Sequence, residues 1–219
     1  MKKYILVITL LFGTSFLSFG QAIPFVGKKV RTLETIKIQG SPYQDKMFAK
    51  AKIGKIEQAI FMRYNIFNDE FEYITPKNDS LILDKIEDFG EIVFANTNKK
   101  FKLTTYINND NKLFYGYLFE LYSKNKTQLY KKDNISFTDE KLAKTTLEQD
   151  KPAKYSPNSP FYFIKYNDKM PSEFPENKKG LVKLFPDKKE AIEKFYKENK
   201  INFDDENDLK KLVDLLSGT

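Results

Sequence analysis

The sequence predicts an α+β fold: an antiparallel β meander of about seven or eight strands, curved or partly closed into a barrel, followed by short C-terminal helices. Three observations predict it. From Met47 to Lys131 apolar residues recur at every second position in short runs, the period of a half-buried strand. The breaks between runs are short and rich in Asn, Asp and Gly, which is what neighbouring antiparallel strands need. Beyond Pro175 the apolar spacing lengthens to three and four, the period of a helix.

The chain begins with a basic Met1-Lys2-Lys3, an apolar run YILVITLLFGTSFL and small residues in SFGQA. That pattern is a secretory signal peptide over residues 1–20, with cleavage after Gly20 or alternatively after Ala22. The apolar run is shorter than the roughly 20 residues a membrane span requires. The protein is therefore expected to be exported: periplasmic, outer-membrane associated or secreted. Residues 21–170 read as the β-rich domain and 171–219 as a helical C-terminal segment.

Ile23 to Gly40 lacks clear periodicity, and Gly40-Ser41-Pro42 is a turn signal. In MRYNIFNDEFEY, Met62 to Tyr73, the alternation predicts a hairpin with a two-residue turn at Asn68-Asp69, which sets Ile66 opposite Phe71 and Tyr64 opposite Tyr73. The same register puts Asn65 opposite Glu72 on the other, exposed face, with Arg63 diagonal to Glu72. Asp69 is read as a turn former, because Asn and Asp tolerate positive φ. The acids of this stretch thus have structural employment; a catalytic carboxylate pair is the rival reading.

Further strands are predicted at Leu81–Leu83, Glu91–Ala95, Phe101–Ile107, Leu113–Tyr122, Thr127–Lys131 and, after a polar loop over 138–160, Phe161–Tyr166. LFYGYLFELY stands apart because it is apolar on both faces: Leu113, Tyr115, Tyr117, Phe119 and Leu121 on one, Phe114, Leu118 and Tyr122 on the other. Such a strand lies between two layers or lines a pocket. Tyr115, Tyr117 and Phe119 are accordingly the candidate ligand-binding residues. In the tail, Ala191, Ile192, Phe195 and Tyr196 form one stripe behind a capping-box spacing of Asp187 and Glu190, and Leu209, Leu212, Val213 and Leu216 form another. The run DDEND, Asp204 to Asp208, fails the calcium-loop pattern at Leu209 and Leu215, and Asp205 reads as a helix N-cap.

The chain has no Cys and no His. Disulfides, thiolate nucleophiles, His bases and His or Cys zinc sites are excluded on composition. The formal net charge is +7, but Arg31 and Arg63 are the only arginines among 37 basic residues, and the lysines are interleaved with 30 acids. Nucleic-acid recognition draws on the Arg fork, so no nucleic-acid partner is expected. No cofactor or metal is expected, and no membrane-spanning segment after the signal is removed.

Several stretches resemble an uncharacterised family of exported bacterial proteins: GSPY at Gly40 to Tyr43, MRYNIFNDEFEY, LYKK at Leu129 to Lys132, FYFIKY, and the tail from Asn177 to Leu216. The resemblance implies export and a shared architecture; no functional residue is carried over with it. For function the sequence favours a non-enzymatic protein that binds an apolar small molecule or an envelope protein through its aromatic-rich sheet. A carboxylate-dependent hydrolase acting on glycans is the alternative, and Lys-mediated association with anionic membrane surfaces a third.

Overall fold

The computed structural model describes the backbone of residues 27–29 and residues 38–218 apart from 55, 57 and 146; the expected signal peptide lies outside the described residues. The strands are β1 (Gly27–Lys29), β2 (Ala49–Ile53), β3 (Ile60–Asn65), β4 (Glu70–Ile74), β5 (Ser80–Leu83), β6 (Ile92–Phe94), β7 (Lys100–Ile107), β8 (Leu113–Lys124), β9 (Thr127–Thr138), β10 (Lys154–Tyr166) and β11 (Ser172–Glu173). Three helices follow, α1 (Lys178–Leu184), α2 (Lys189–Glu198) and α3 (Glu206–Ser217). The α+β architecture is the expected one. The eleven strands of the described sheet exceed the expected seven or eight, because β1, β2 and β11 carry too few alternating residues to register as runs.

All eleven strands join one sheet in the order β1-β5-β4-β3-β2-β6-β7-β11-β10-β9-β8, and β7 also pairs with β8. The pairings β7–β8, β8–β9, β9–β10, β10–β11 and β11–β7 therefore return on themselves, and the sheet is partly closed. The link that closes the ring, Ser172 to Ile107, is parallel, whereas the other named-strand pairs are antiparallel. The chain crosses from β5 through a 3-10 turn, Glu87–Phe89, to β6, which pairs with β2 rather than with β5, so the arrangement departs from a simple meander.

Three apolar clusters follow from the alternation of side chains. The first gathers one face of β2 to β6 with Phe101 and Leu103 of β7 and Tyr117 of β8. Its centre is Phe71, whose ring lies 4.9, 5.1 and 4.7 Å from those of Tyr64, Phe101 and Tyr117. The second takes one residue from each of four ring strands, Tyr106, Leu118, Tyr130 and Phe163, which plug the inside of the ring. The third lies outside it, where Leu129 of β9 and Ile164 of β10 meet Leu181, Ile192, Leu209, Leu212, Val213 and Leu216 of the helices. Successive residues such as Leu129 and Tyr130 thus serve different cores.

Three expectations are corrected. The hairpin of β3 and β4 pairs Tyr64 with Phe71 and Met62 with Tyr73, so its turn is the four residues 66–69. The shift of two residues preserves the faces but puts Arg63 directly opposite Glu72. The polar stretch 138–160 is a loop over 139–153 only and strand at its ends: β9 and β10 pair from Thr138–Lys154 onward, Pro157 lies in register opposite Ile135, and Pro160 falls where the register shifts between Asn158 and Phe161. A bulge is a place that tolerates residues without an N–H donor. The capping box of α2 does not form, since Pro186–Lys188 is a separate 3-10 turn and no side chain caps α2. Asp205 does cap α3, accepting from Asn207 N (2.8 Å) and Asp208 N (3.1 Å).

Candidate functional site

The turn at 66–69 is built by Asn65, whose buried side chain accepts from Asn68 N, and by Pro42 O, which accepts from Ile66 N. Asp69 has a φ of 56°, as a turn residue of its type tolerates. Its side chain reaches across to the ring. Oδ1 accepts from the Tyr64 hydroxyl and from Lys132 Nζ at 2.7 Å, Oδ2 accepts from Lys85 Nζ at 2.8 Å, and both lie 3.3 Å from Tyr117 N. The approach requires Gly116, because a Cβ there would collide with the carboxylate. Asp69 is thus a junction between the open sheet and the ring as well as a turn residue.

Burial acts on the groups around Asp69 in opposite senses. Burial pushes the Tyr64 hydroxyl well above the usual phenol range, and Asp69 pushes it further the same way. Burial and then Asp69 likewise raise Tyr106 and Tyr117. Lys132 is lowered, because loss of water around its ammonium outweighs the attraction of Asp69. Its Nζ also donates to Tyr117 O at 3.2 Å and stands 5.7 Å from the centre of the Tyr106 ring.

Beside this junction the mouth of the ring opens into a cavity of about 290 Å³. Ile66, Phe67, Ile135, Phe161, Phe163, Tyr106 and Phe114 give it an apolar wall, and the ring plug supplies Tyr106 and Phe163 as its floor. Tyr106 lies nearly parallel to Phe114 with centroids 5.7 Å apart, and meets Phe163 edge-on at 4.7 Å. Lys132, Asp69, Asp133, Glu173, Asn108 and Asn134 supply the polar part. Asp133 accepts from Gln44 Nε2 at 2.7 Å and Glu173 from Asn109 N at 2.8 Å, so each carboxylate of the cavity already has a protein donor.

Glu72 takes part in a different device and corrects the exposed-face expectation. It is 3% exposed and holds Arg63 through both Nε (2.8 Å) and Nη2 (2.6 Å), with the Tyr43 hydroxyl donating to its other oxygen at 2.9 Å. The Arg63 guanidinium is sandwiched between the rings of Tyr43, at 3.7 Å, and Phe48, at 4.3 Å. The segment before β2 folds over this face and buries it. Burial, with Glu72 adding to it, raises Tyr43 to about 12.

The sequence-predicted residues Tyr115, Tyr117 and Phe119 are not brought together around the cavity. Tyr117 is buried in the first cluster, Phe119 packs against its edge, and Tyr115 lies half-exposed with its hydroxyl 3.5 Å from Lys85 O. Their neighbour Phe114, on the other face of β8, lines the cavity instead. Sequence reasoning missed Lys132, Tyr106 and Phe161 as cavity residues. The signal was Gly116, a glycine inside an aromatic strand, which marks a close approach from another segment.

Among the described residues no group of three or more Asp and Glu side chains is placed to hold a metal ion, and no helix is long and apolar enough to cross a membrane. No protein-family model matches the chain, no curated protein matches its sequence, and no solved structure matches its fold.

Proposed function

We propose that the protein is a binding protein that takes the apolar body of a small molecule into the mouth of the ring. The observation that carries the reading is the cavity itself, about 290 Å³ with aromatic and aliphatic walls and one desolvated ammonium, Lys132, in its polar margin. Concave, mostly apolar sites with a few placed polar groups are the usual form of small-molecule sites, and barrel mouths are a usual location. The cavity's carboxylates are each engaged as acceptors, which weighs against a hydrolase built on them. We place the activity outside the cytoplasm, as the signal-peptide pattern of residues 1–20 and the resemblance to an exported family support. N-terminal sequencing of protein from the producing cell tests the location: a start at Gln21 or Ile23 agrees with it, and recovery of an intact Met1 contradicts it.

Titration with the neutral fluorescent probe N-phenyl-1-naphthylamine tests the binding reading. Binding is expected, and Phe161→Lys should abolish it without lowering the melting temperature, because Phe161 is 45% exposed at the rim. Leu113→Lys, at a residue more exposed and outside the cavity, should leave it intact. Absence of probe binding, or equal binding by Phe161→Lys, would contradict the proposal.

A further inference from the structure

We infer that the ligand of this cavity is a small monocarboxylic acid with an apolar body, its carboxylate received by Lys132 Nζ and the Tyr106 hydroxyl. The inference rests on the binding role proposed above and specifies the chemistry of its ligand. It comes from a count of donors and acceptors in the polar margin. An ammonium has three N–H donors. Those of Lys132 go to Asp69 Oδ1 and Tyr117 O, which leaves one without a protein acceptor among the described residues. Tyr106 is 5% exposed, forms part of the cavity wall, and its hydroxyl has no hydrogen-bond partner among the described residues. The hydroxyl is not one of the enclosed side-chain polar atoms that lack a partner, so it opens toward the cavity, where a ligand acceptor can receive its hydrogen bond.

On the acceptor side, each carboxylate of the cavity already receives at least one protein donor. Asp69 receives Lys132, Lys85, the Tyr64 hydroxyl and Tyr117 N; Asp133 receives Gln44 Nε2 and pairs with Lys131 at 3.4 Å; Glu173 receives Asn109 N. Spare donors beside engaged acceptors favour a ligand that accepts. Charge is mixed: at the junction two ammoniums, Lys85 and Lys132, share the single carboxylate of Asp69, whereas Asp133, paired with Lys131, and Glu173 bring negative charge to the wall, so the carboxylate reading rests on the spare donors. Two donors match the two oxygens of one carboxylate, and charge-assisted hydrogen bonds of this kind are the stronger ones. A phosphate carries more charge and more acceptor oxygens than two donors satisfy, and the Asp133 and Glu173 carboxylates in the cavity wall oppose a dianion. The apolar body then rests on Phe114, Phe161, Ile66 and Ile135.

Calorimetric titration of the purified protein with 3-phenylpropionate, 3-phenylpropanol and 3-phenylpropylamine tests the inference. The three share one apolar body and differ in the head group. The acid should bind at least about tenfold more tightly than the alcohol, and the amine most weakly. Lys132→Met should remove the preference for acid over alcohol. Tyr106→Phe, which keeps the ring packing, should reduce acid affinity several-fold and serves if Lys132→Met does not fold. Equal binding of acid and alcohol, tighter binding of the amine, or undiminished acid affinity in either folded variant overturns the carboxylate inference alone. Binding of none of the three overturns the binding role as well.

Discussion

Glu72 and Asp69 lie on one hairpin and meet different partners, and the difference decides what each substitution does. Glu72 is buried with the Arg63 fork and the Tyr43 hydroxyl on it. Replacing it with Gln leaves the guanidinium without a counter-charge in a largely dry site, so Glu72→Gln should destabilise the fold by roughly 2 kcal/mol, read from urea melts. A change below about 0.5 kcal/mol would mean that the pair is solvated. Asp69 instead faces Gly116, and Gly116→Ala should cost roughly 1–3 kcal/mol through the collision of the new methyl with the carboxylate. The faces of Tyr64 and Phe71 were legible in the sequence because strand alternation is local. The partners of Glu72 and Asp69 were not, because Tyr43 and Lys132 come from segments far along the chain that alternation does not connect.

At the scale of elements, β8 serves three clusters in turn, and a bulge makes this feasible. Tyr117 enters the first core and Leu118 the ring plug; then the register with β9 shifts between Glu120 and Tyr122, and Leu121 and Tyr122 both pack toward the helices. The two apolar faces of this strand were legible in the sequence. The bulge was not, since an extra residue in a continuously apolar run leaves no break in its pattern. The same limit hid the far ends of β9 and β10. There Phe137 and Tyr155 pack on each other at 4.7 Å and on Phe67 of the turn, with otherwise polar neighbours. The helices were plain from their stripes, and they cover the outside of the ring through Leu209, Leu212, Val213 and Leu216. Leu212→Asp should therefore undock α3, lower stability by roughly 3 kcal/mol or more and raise hydrophobic-dye fluorescence. A variant that melts like the parent would show that α3 does not close this core.

For the molecule as a whole, closure of the ring through the two-residue β11 was the feature least accessible to sequence, because one short parallel link carries it. That closure creates the cavity, while tyrosines in several parts of the molecule, wholly or partly buried, set an alkaline limit to stability. Tyr43, Tyr130 and Tyr196 are each raised to about 12, chiefly by burial. A raised folded-state value means that the native form holds the proton more tightly than the unfolded chain. The resulting stabilisation is complete below pH 10 and is lost as pH rises toward 12. Lys132, lowered by burial, acts in the opposite sense and is outnumbered. The urea midpoint should fall from pH 10 to pH 12, and Tyr43→Phe should flatten the fall; a midpoint independent of pH in that window would contradict this reading.

Binding at the ring mouth can be read residue by residue by selective labelling of isoleucine δ1 methyls. Ile66 and Ile135 line the cavity, whereas Ile53 and Ile92 are buried in the first core and Ile164 and Ile192 in the third. On titration with 3-phenylpropionate, the Ile66 and Ile135 resonances should move together along one saturable binding curve while the other four stay in place. Shifts centred on the core or helix-packed isoleucines, or no shift at Ile66 and Ile135 at saturating ligand, would contradict binding at the ring mouth.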